Sequence, residues 1–377
     1  MVRLTHVAGA FLIPATGSFL NGAGLSSGED RNVTIPKTFR DGSARIPYVS
    51  SQAWKRWLRN TLIEETGWEA SEIVAIDKSE KGTVNKVAGK LDPILCAEDD
   101  IFGYMRAEKG QGKARAQEQS GDEGSEDEST EKSGSSAQIE KSDSRGRVKA
   151  VMRASPFSAS LLVSIRRFGW EGRDEGFVHL KEGTPLPYTT EFYNTHLQGV
   201  FCLNYSRLGV FSNVGDRIEL DEQKRDEYLK TGKIKRVGDE KQEIYELVGA
   251  VATRKKRASA LIRALAVLRG GAKQAAFGTP LEPQALILAG LSCGNPVFHH
   301  IFKDGDKGPE LKVESLKEII SDFKDRFATP VFVGIRNGYL ANESDVRSLK
   351  GEISSVQVEV MSPLQAANSI ADAIIKA

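Results

Sequence analysis

Strand-like and helical runs alternate along this chain in an order that few architectures accept. Short apolar runs suited to strands lie at residues 5–13, 160–167, 197–203 and 285–291. Helical periodicity is clearest at 51–65 and 254–268, so the first six elements read β, α, β, β, α, β. Two more strand runs, 330–335 and 355–360, follow, the second alternating through Val356, Val358 and Val360. Helices are also expected at 313–327 and 363–375, the last opened by Ser362 as N-cap and Pro363 in the first turn. The mixture predicts an α+β chain with one copy of its unit, since no stretch of sequence recurs.

That order is the split βαβ pattern of ferredoxin-like and RNA-recognition-motif-like folds. A single βαββαβ core is therefore expected across 1–377, decorated by three excursions at 67–154, 168–196 and 212–253. Residues 107–150 are rich in Lys, Glu, Ser, Gly and Gln and hold no aromatic residue, too little apolar surface to offset chain entropy. This stretch is expected to be a disordered acidic loop inserted within a domain, its flanks meeting in one fold.

Charge is segregated as well. The whole chain carries +1, yet nine acidic and two basic residues fall between Glu118 and Asp143, so that segment holds −7 and the remainder +8. Such an excess suits a polyanionic partner, although scattered solvated lysines would produce the same count. No apolar run approaches the roughly 18–20 residues a membrane helix requires, and the N-terminal stretch alternates like a strand, which favours a cytoplasmic location and no membrane partner.

Catalytic and metal chemistry find little anchor. Cys96, Cys202 and Cys293 lie far apart and read as reduced core thiols, and the pair His299 and His300 has no Cys or carboxylate at ligand spacing, so no metal or cofactor is expected. Gly22-Ala-Gly24 has the wrong spacing to Gly28 for a dinucleotide fingerprint. The phosphate-loop, nucleophile-elbow and His-Glu-x-x-His patterns are missing too.

The most informative stretch is Arg45-Ile-Pro-Tyr-Val-Ser-Ser-Gln-Ala-Trp-Lys-Arg-Trp-Leu-Arg59. Trp54, Trp57, Leu58 and Leu62 fall on one helical face, with Lys55, Arg56 and Arg59 on or beside the other. Ser50 and Ser51 stand at the start, where open backbone N–H groups, two hydroxyls and the Gln52 amide can hold phosphate oxygens without reading bases. A solvated basic face would show the same pattern.

This stretch resembles the Arg-Ile-Ser-Ser-Gln-hydrophobic-Lys-Arg signature of the backbone subunits of CRISPR Cascade complexes, with Pro47-Tyr48-Val49 inserted between Ile46 and Ser50. Three further stretches resemble that family in its order. Gly146-Arg-Val-Lys-Ala-Val-Met-Arg-Ala-Ser-Pro-Phe looks like its second basic strand entry. Leu197-Gln-Gly-Val-Phe-Cys-Leu-Asn-Tyr-Ser-Arg-Leu-Gly-Val-Phe211 looks like the strand of its DevR-type branch, found in type I-B. Gly270-Gly-Ala-Lys-Gln274 is similar to its Gly-Ala-Lys-Gln motif.

The resemblance implies a type I surveillance complex in which copies of this chain polymerise head to tail along a CRISPR guide RNA. Other Cascade subunits would join them, and target DNA would be reached through the guide. It implies no enzymatic activity, an RNA-recognition-like palm, a finger-like insertion at 67–154 and a thumb hairpin at 168–196. The apolar tip of that hairpin, Gly183-Thr-Pro-Leu-Pro-Tyr188, would wedge between bases. The expected RNA contacts are Arg45, Ser50, Ser51, Gln52, Lys55, Arg56, Arg59, Arg153, Arg166, Arg167, Lys273 and Gln274. Charge reversal at Lys55 plus Arg59 is expected to weaken binding without unfolding the protein. Two alternatives stand beside this reading: an RNA-cleaving type III backbone subunit using Asp30 or Asp41, and a generic RNA-recognition-motif-like protein.

Overall fold

The computed structural model describes residues 2–26, 33–71, 74–78, 84–88, 91–106, 150–178, 180–215, 217–239 and 242–376. The elements that position the site are strand β1 (His6–Ser18), β2 (Ala44–Val49), helix α1 (Ser51–Thr66) and the short α2 (Ala97–Phe102). Next come β3 (Tyr104–Arg106), β4 (Ala150–Arg153), β5 (Leu162–Ser164), β6 (Glu171–Val178), β7 (Leu186–Asn204) and α3 (Ala250–Ala266). The chain ends with β8 (Ala285–Leu291), α4 (Val313–Asp322), β9 (Val331–Ile335), β10 (Val356–Met361) and α5 (Pro363–Lys376). The α+β class expected from the pattern is the class observed.

One large sheet runs in the order Gly351–Ile353, β10, β9, β8, β1, β7, β5, β2, Thr38–Asp41. Its centre is made of the four strands that flank the two predicted helices, lying side by side as β8, β1, β7, β5, each antiparallel to its neighbour. Alternation in β1 explains why the sheet is covered twice. Val7, Phe11 and Ile13 point into a core with Trp54 and Leu58 of α1, Leu261 and Leu265 of α3, and Ile370 of α5. Ala8, Ala10 and Leu12 point the other way, against Phe298 and against Leu316 and Ile320 of α4. Buried on both faces, β8 reads as an unbroken apolar run.

The boundaries differ from the sequence pattern where polarity hides regular structure. The run at 197–203 is only the end of the 19-residue β7. Its first half pairs with β6 from Leu186↔Val178 to Tyr193↔Glu171, forming a projecting hairpin whose exposed residues carry little apolar alternation. The helix expected at 313–327 stops at Asp322 and gives way to a 3-10 turn, Lys324–Arg326.

The first and third excursions form one structure. β3 pairs with β4 from Tyr104↔Arg153 to Arg106↔Val151, and β4 lies parallel to Arg217–Ile218, whose partner Val210–Val214 leads on to Ile244–Leu247 and Ile234–Arg236. Phe211, Leu220, Tyr228, Ile234 and Tyr245 make a separate small core under this sheet. The flanks of the acidic insertion therefore do meet, as neighbouring antiparallel strands. Residues 107–149, expected to be disordered, lie outside the described residues, as does Asp30. Among the described residues Cys96 and Cys202 are buried free thiols, and no helix is long and apolar enough to cross a membrane.

Candidate nucleic-acid interface

Three consecutive residues after β1 tie the distant motifs together. The Asn21 side chain accepts a hydrogen bond from the Ser50 amide at 3.1 Å, which fixes the start of α1. The Asn21 carbonyl accepts from the Lys37 amide at 2.9 Å, and the Leu20 carbonyl accepts from the Ala272 amide at 3.0 Å. The Leu20 amide donates to the Tyr193 hydroxyl at 3.0 Å, joining the root of the β6–β7 hairpin to the same point. The helix start, the Gly-Gly-Ala-Lys-Gln turn and the hairpin thus converge, although 222 positions separate Ser50 from Ala272.

Helix α1 starts openly. Ser50 is extended at the N-cap and its hydroxyl makes no capping bond. The Ala53 and Trp54 amides turn back to the Ser50 carbonyl, so the Ser51 and Gln52 amides stand at the positive end of a 16-residue helix. The facing turn is shaped by its glycines. Gly270 and Gly271 have φ of +138° and +93°. A Cβ on Gly270 would lie 2.6 Å from Cγ of Trp57, and one on Gly271 2.6 Å from Cδ2 of Leu20. Only a bare backbone approaches so closely. Lys273, itself left-handed at φ +51°, sends Nζ to the Thr190 hydroxyl at 2.7 Å and 4.9 Å from the ring centre of Phe19. Gln274 donates to the Gly270 carbonyl and braces the turn.

Ser50, Ser51, Gln52, Lys273 and Gln274 are therefore brought together, with Arg56 exposed one turn further along α1. Lys55 is half-buried, with Nζ 5.9 Å from the ring centre of Phe157, and this burial lowers its pKa from the usual lysine value.

The remaining predicted contacts each have a carboxylate partner within the chain. Arg59 pairs with the buried carboxylate of Glu98 at 3.0 Å and lies over Phe102. Reversing Arg59 would consequently set a new carboxylate against the buried Glu98, so the double reversal with Lys55 is expected to cost stability, against the expectation that it spares the fold. Arg45 pairs with Glu191 at 2.7 Å and Glu171 at 3.4 Å and lies over Trp170, so it fastens β2 to the hairpin. Arg166 pairs with Asp304 at 3.1 Å and Arg167 with Asp41 at 3.0 Å.

Arg153 is the clearest correction. Its side chain is fully buried, pairs with Asp100 and with Glu219 at 2.8 Å, and donates to the Val210 and Arg207 carbonyls at 2.9 Å. It is a structural cation with no exposed face for phosphate. One of its counter-charges, Glu219, follows the strand Arg217–Ile218, and the other, Asp100, sits on α2, whose Glu98, Asp99 and Asp100 are all buried. Asp100 also receives Arg257 of α3 and the Gly209 amide. Three adjacent acids before Ile101 and Phe102 were the available signal, because acids in an apolar setting require cations.

Glu98 offers a pH test. Burial raises its pKa above the ordinary 4.5, only partly countered by hydrogen bonding from Ser71 and by Arg59. A raised folded-state pKa gives stability that is fully present below the unfolded value and is lost as pH rises through the folded one. The advantage in melting temperature of wild type over Glu98→Gln should therefore shrink from about pH 4 to about pH 7. An advantage that grows over that range would contradict the assignment.

The residues missed from sequence are those of the hub. Phe19, Asn21, Thr190 and Tyr193 carry no motif; a lone Asn between Leu20 and Gly22 at a strand end was the one visible cue.

No family model matches the sequence, and no curated protein matches it. Solved structures do align over nearly its full length. A chain of a "CRISPR RNA-guided surveillance complex, pre-nicking" covers 98% of this chain and 100% of its own length, at 11% identity and a TM-score of 0.50. This chain shares its fold. A chain of a "CRISPR RNA-guided surveillance complex" covers 98% and 99%, at 12% identity and a TM-score of 0.48. At these identities the likeness concerns architecture alone.

Proposed function

We propose that this protein is a guide-RNA-binding backbone subunit of a cytoplasmic type I CRISPR surveillance complex, of the DevR-type branch, and that it performs no catalysis itself. The observation carrying this reading is the convergence at Phe19, Leu20 and Asn21 of the open α1 start with the Lys273 turn, on a fold shared with a chain of a CRISPR RNA-guided surveillance complex. The central order β8, β1, β7, β5, antiparallel throughout, is the order a split βαβ core produces and supports an RNA-recognition-like palm. In this reading 67–154 supplies the finger and the β6–β7 hairpin the thumb, with Phe177, Leu186 and Tyr188 exposed as the wedge. The Ser51 and Gln52 amides and the Lys273 ammonium hold sugar-phosphate, the bases stay free for pairing with target DNA, and copies stack head to tail. A heterologous contact between copies generates an open helical filament, to which the other Cascade subunits attach.

Two alternatives fare less well. A generic RNA-recognition protein stacks bases on an open sheet, whereas here helices and loops cover both faces of the central strands. Cutting of target RNA by Asp41 has to contend with its pairing to Arg167.

Binding should be electrostatic. Lys273→Ala is expected to weaken guide binding about tenfold and to reduce the slope of log affinity against log salt by about one. Filter binding at several salt concentrations measures both, and an unchanged slope would remove Lys273 from the contact. Sequencing the nucleic acid that co-purifies with the protein tests the reading as a whole: repeat-derived handles joined to variable spacers are expected, and random cellular RNA would refute it.

A further inference from the structure

At the far end of α1 lies a groove that the proposed RNA cradle does not use. It has a volume of about 580 Å³ and runs between Thr66 and Trp68, the outer side of α3, and Ile375 at the end of α5. Helix α1 has 16 residues, which at 1.5 Å per residue sets the groove roughly 24 Å from Ser50. Its floor is apolar or small: Trp68, Ala252, Ala260 and Ile375, the last 45% exposed. Val251, in the first turn of α3 beside the groove residue Ala252, is 58% exposed, where a merely solvated helix would carry a polar residue. All three charged residues lining the groove are cations, Lys255, Lys256 and Arg263.

These cations differ in what they do. Lys255 donates to the Ile375 carbonyl at 2.8 Å and so closes the end of α5. Arg263 pairs with Asp372 at 2.9 Å across the rim. Lys256 is exposed, its Nζ 5.8 Å from the ring centre of Trp68. The cation best placed to meet a ligand therefore stands beside the largest apolar surface of the groove.

We infer that this groove docks a segment of another protein that presents a large aliphatic or aromatic side chain with carboxylates beside it. The apolar side chain enters between Trp68 and Ile375, and a carboxylate meets Lys256. Charge complementarity selects the acidic partner, and the apolar floor distinguishes a protein segment from a sugar-phosphate strand, which would leave Trp68, Ala252 and Ile375 without a counterpart. The acidic segment 118–143 of this chain satisfies the charge but holds no aromatic residue and only one large aliphatic residue, Ile139, so it is a poorer fit. The inference does not depend on the RNA-binding reading.

The test uses the full-length protein and four fluorescent peptides, three of about twelve residues and one of 26. One carries Glu and Asp with Leu and Phe at helical spacing, a second replaces the acids with Lys, a third replaces Leu and Phe with Ser, and a fourth is residues 118–143 of this chain. Anisotropy is expected to show saturable binding of the first alone. Lys256→Glu should weaken it at least about tenfold, as loss and reversal of one close charge pair does. Ala252→Arg, which fills the floor from an exposed position, should weaken it similarly. Both variants should keep the wild-type melting temperature and guide-RNA affinity. Absence of saturable binding overturns the inference, as does equal binding of the serine peptide, of residues 118–143, or of a single-stranded RNA that competes for the groove.

Discussion

Replacing Asp100 with alanine is expected to destabilise the protein by about 3–5 kcal/mol, the cost of breaking a buried ion pair by removing one partner. Asp100 is fully buried on the six-residue α2, and its two carboxylate oxygens meet Arg153 of β4 and Arg257 of α3 while also accepting from the Gly209 amide. The substitution leaves two guanidinium groups out of water without their shared counter-charge. Glu219, which also holds Arg153 and Arg207, compensates only one of them. Because α2 is the piece against which α1, α3 and the small sheet all rest, the damage should reach the whole domain. Urea unfolding of Asp100→Ala against wild type measures it, and a loss below about 1 kcal/mol would mean that the cluster relaxes or admits water.

The second large effect should fall on binding. Gly270→Val places a branched side chain where even a Cβ would lie 2.6 Å from the indole of Trp57, a ring packed against the main core. Overpacking of this kind costs about 1–3 kcal/mol, and a non-glycine residue at φ +138° adds strain. The turn can escape by swinging away from α1, which carries Lys273 off Thr190 and Phe19. Under the proposed function a guide strand then has to pull the turn back, so the penalty appears in affinity. With each 1.4 kcal/mol worth tenfold, a loss of about 30-fold is expected. Gly232→Val is the control, since that glycine at φ +67° has nothing within 4 Å of a Cβ and its amide bonds the Leu229 carbonyl beside the small separate core, away from the convergence. Equal affinity losses in the two variants would show that the effect is backbone strain rather than position.

Much of the architecture was written in local pattern. Strands β1, β8, β9 and β10 are apolar runs that either alternate or stay apolar throughout, and α1, α3 and α5 show a clean apolar face, so burial alone reveals them. The stem of the β6–β7 hairpin was harder to see, because its outer end is exposed and the buried Thr190, Glu191 and Thr195 nearer its root are polar, so no apolar alternation marks it. The site divides in the same way. Ser51 and Lys273 stand in recognisable stretches, and both reach the convergence. Arg153 and Arg59 stand in equally basic stretches yet serve α2, and nothing local distinguishes an arginine facing solvent from one facing a carboxylate 53 or 39 positions away. Asn21 was invisible for the opposite reason: its importance lies in two backbone partners, Ser50 and Lys37, which only the fold supplies.

The pairing of Arg106 with Val151 has an evolutionary consequence. A chain that leaves one strand and re-enters its direct neighbour has its ends already clamped side by side, and the entropy of closing such a connection rises only with the logarithm of its length. Doubling the intervening stretch costs about 0.6 kcal/mol, less than a single core methylene. This position can thus gain or shed dozens of residues, or host a grafted reporter, at almost no expense to the large sheet, which makes it the place where relatives of this protein can drift apart fastest in length and charge.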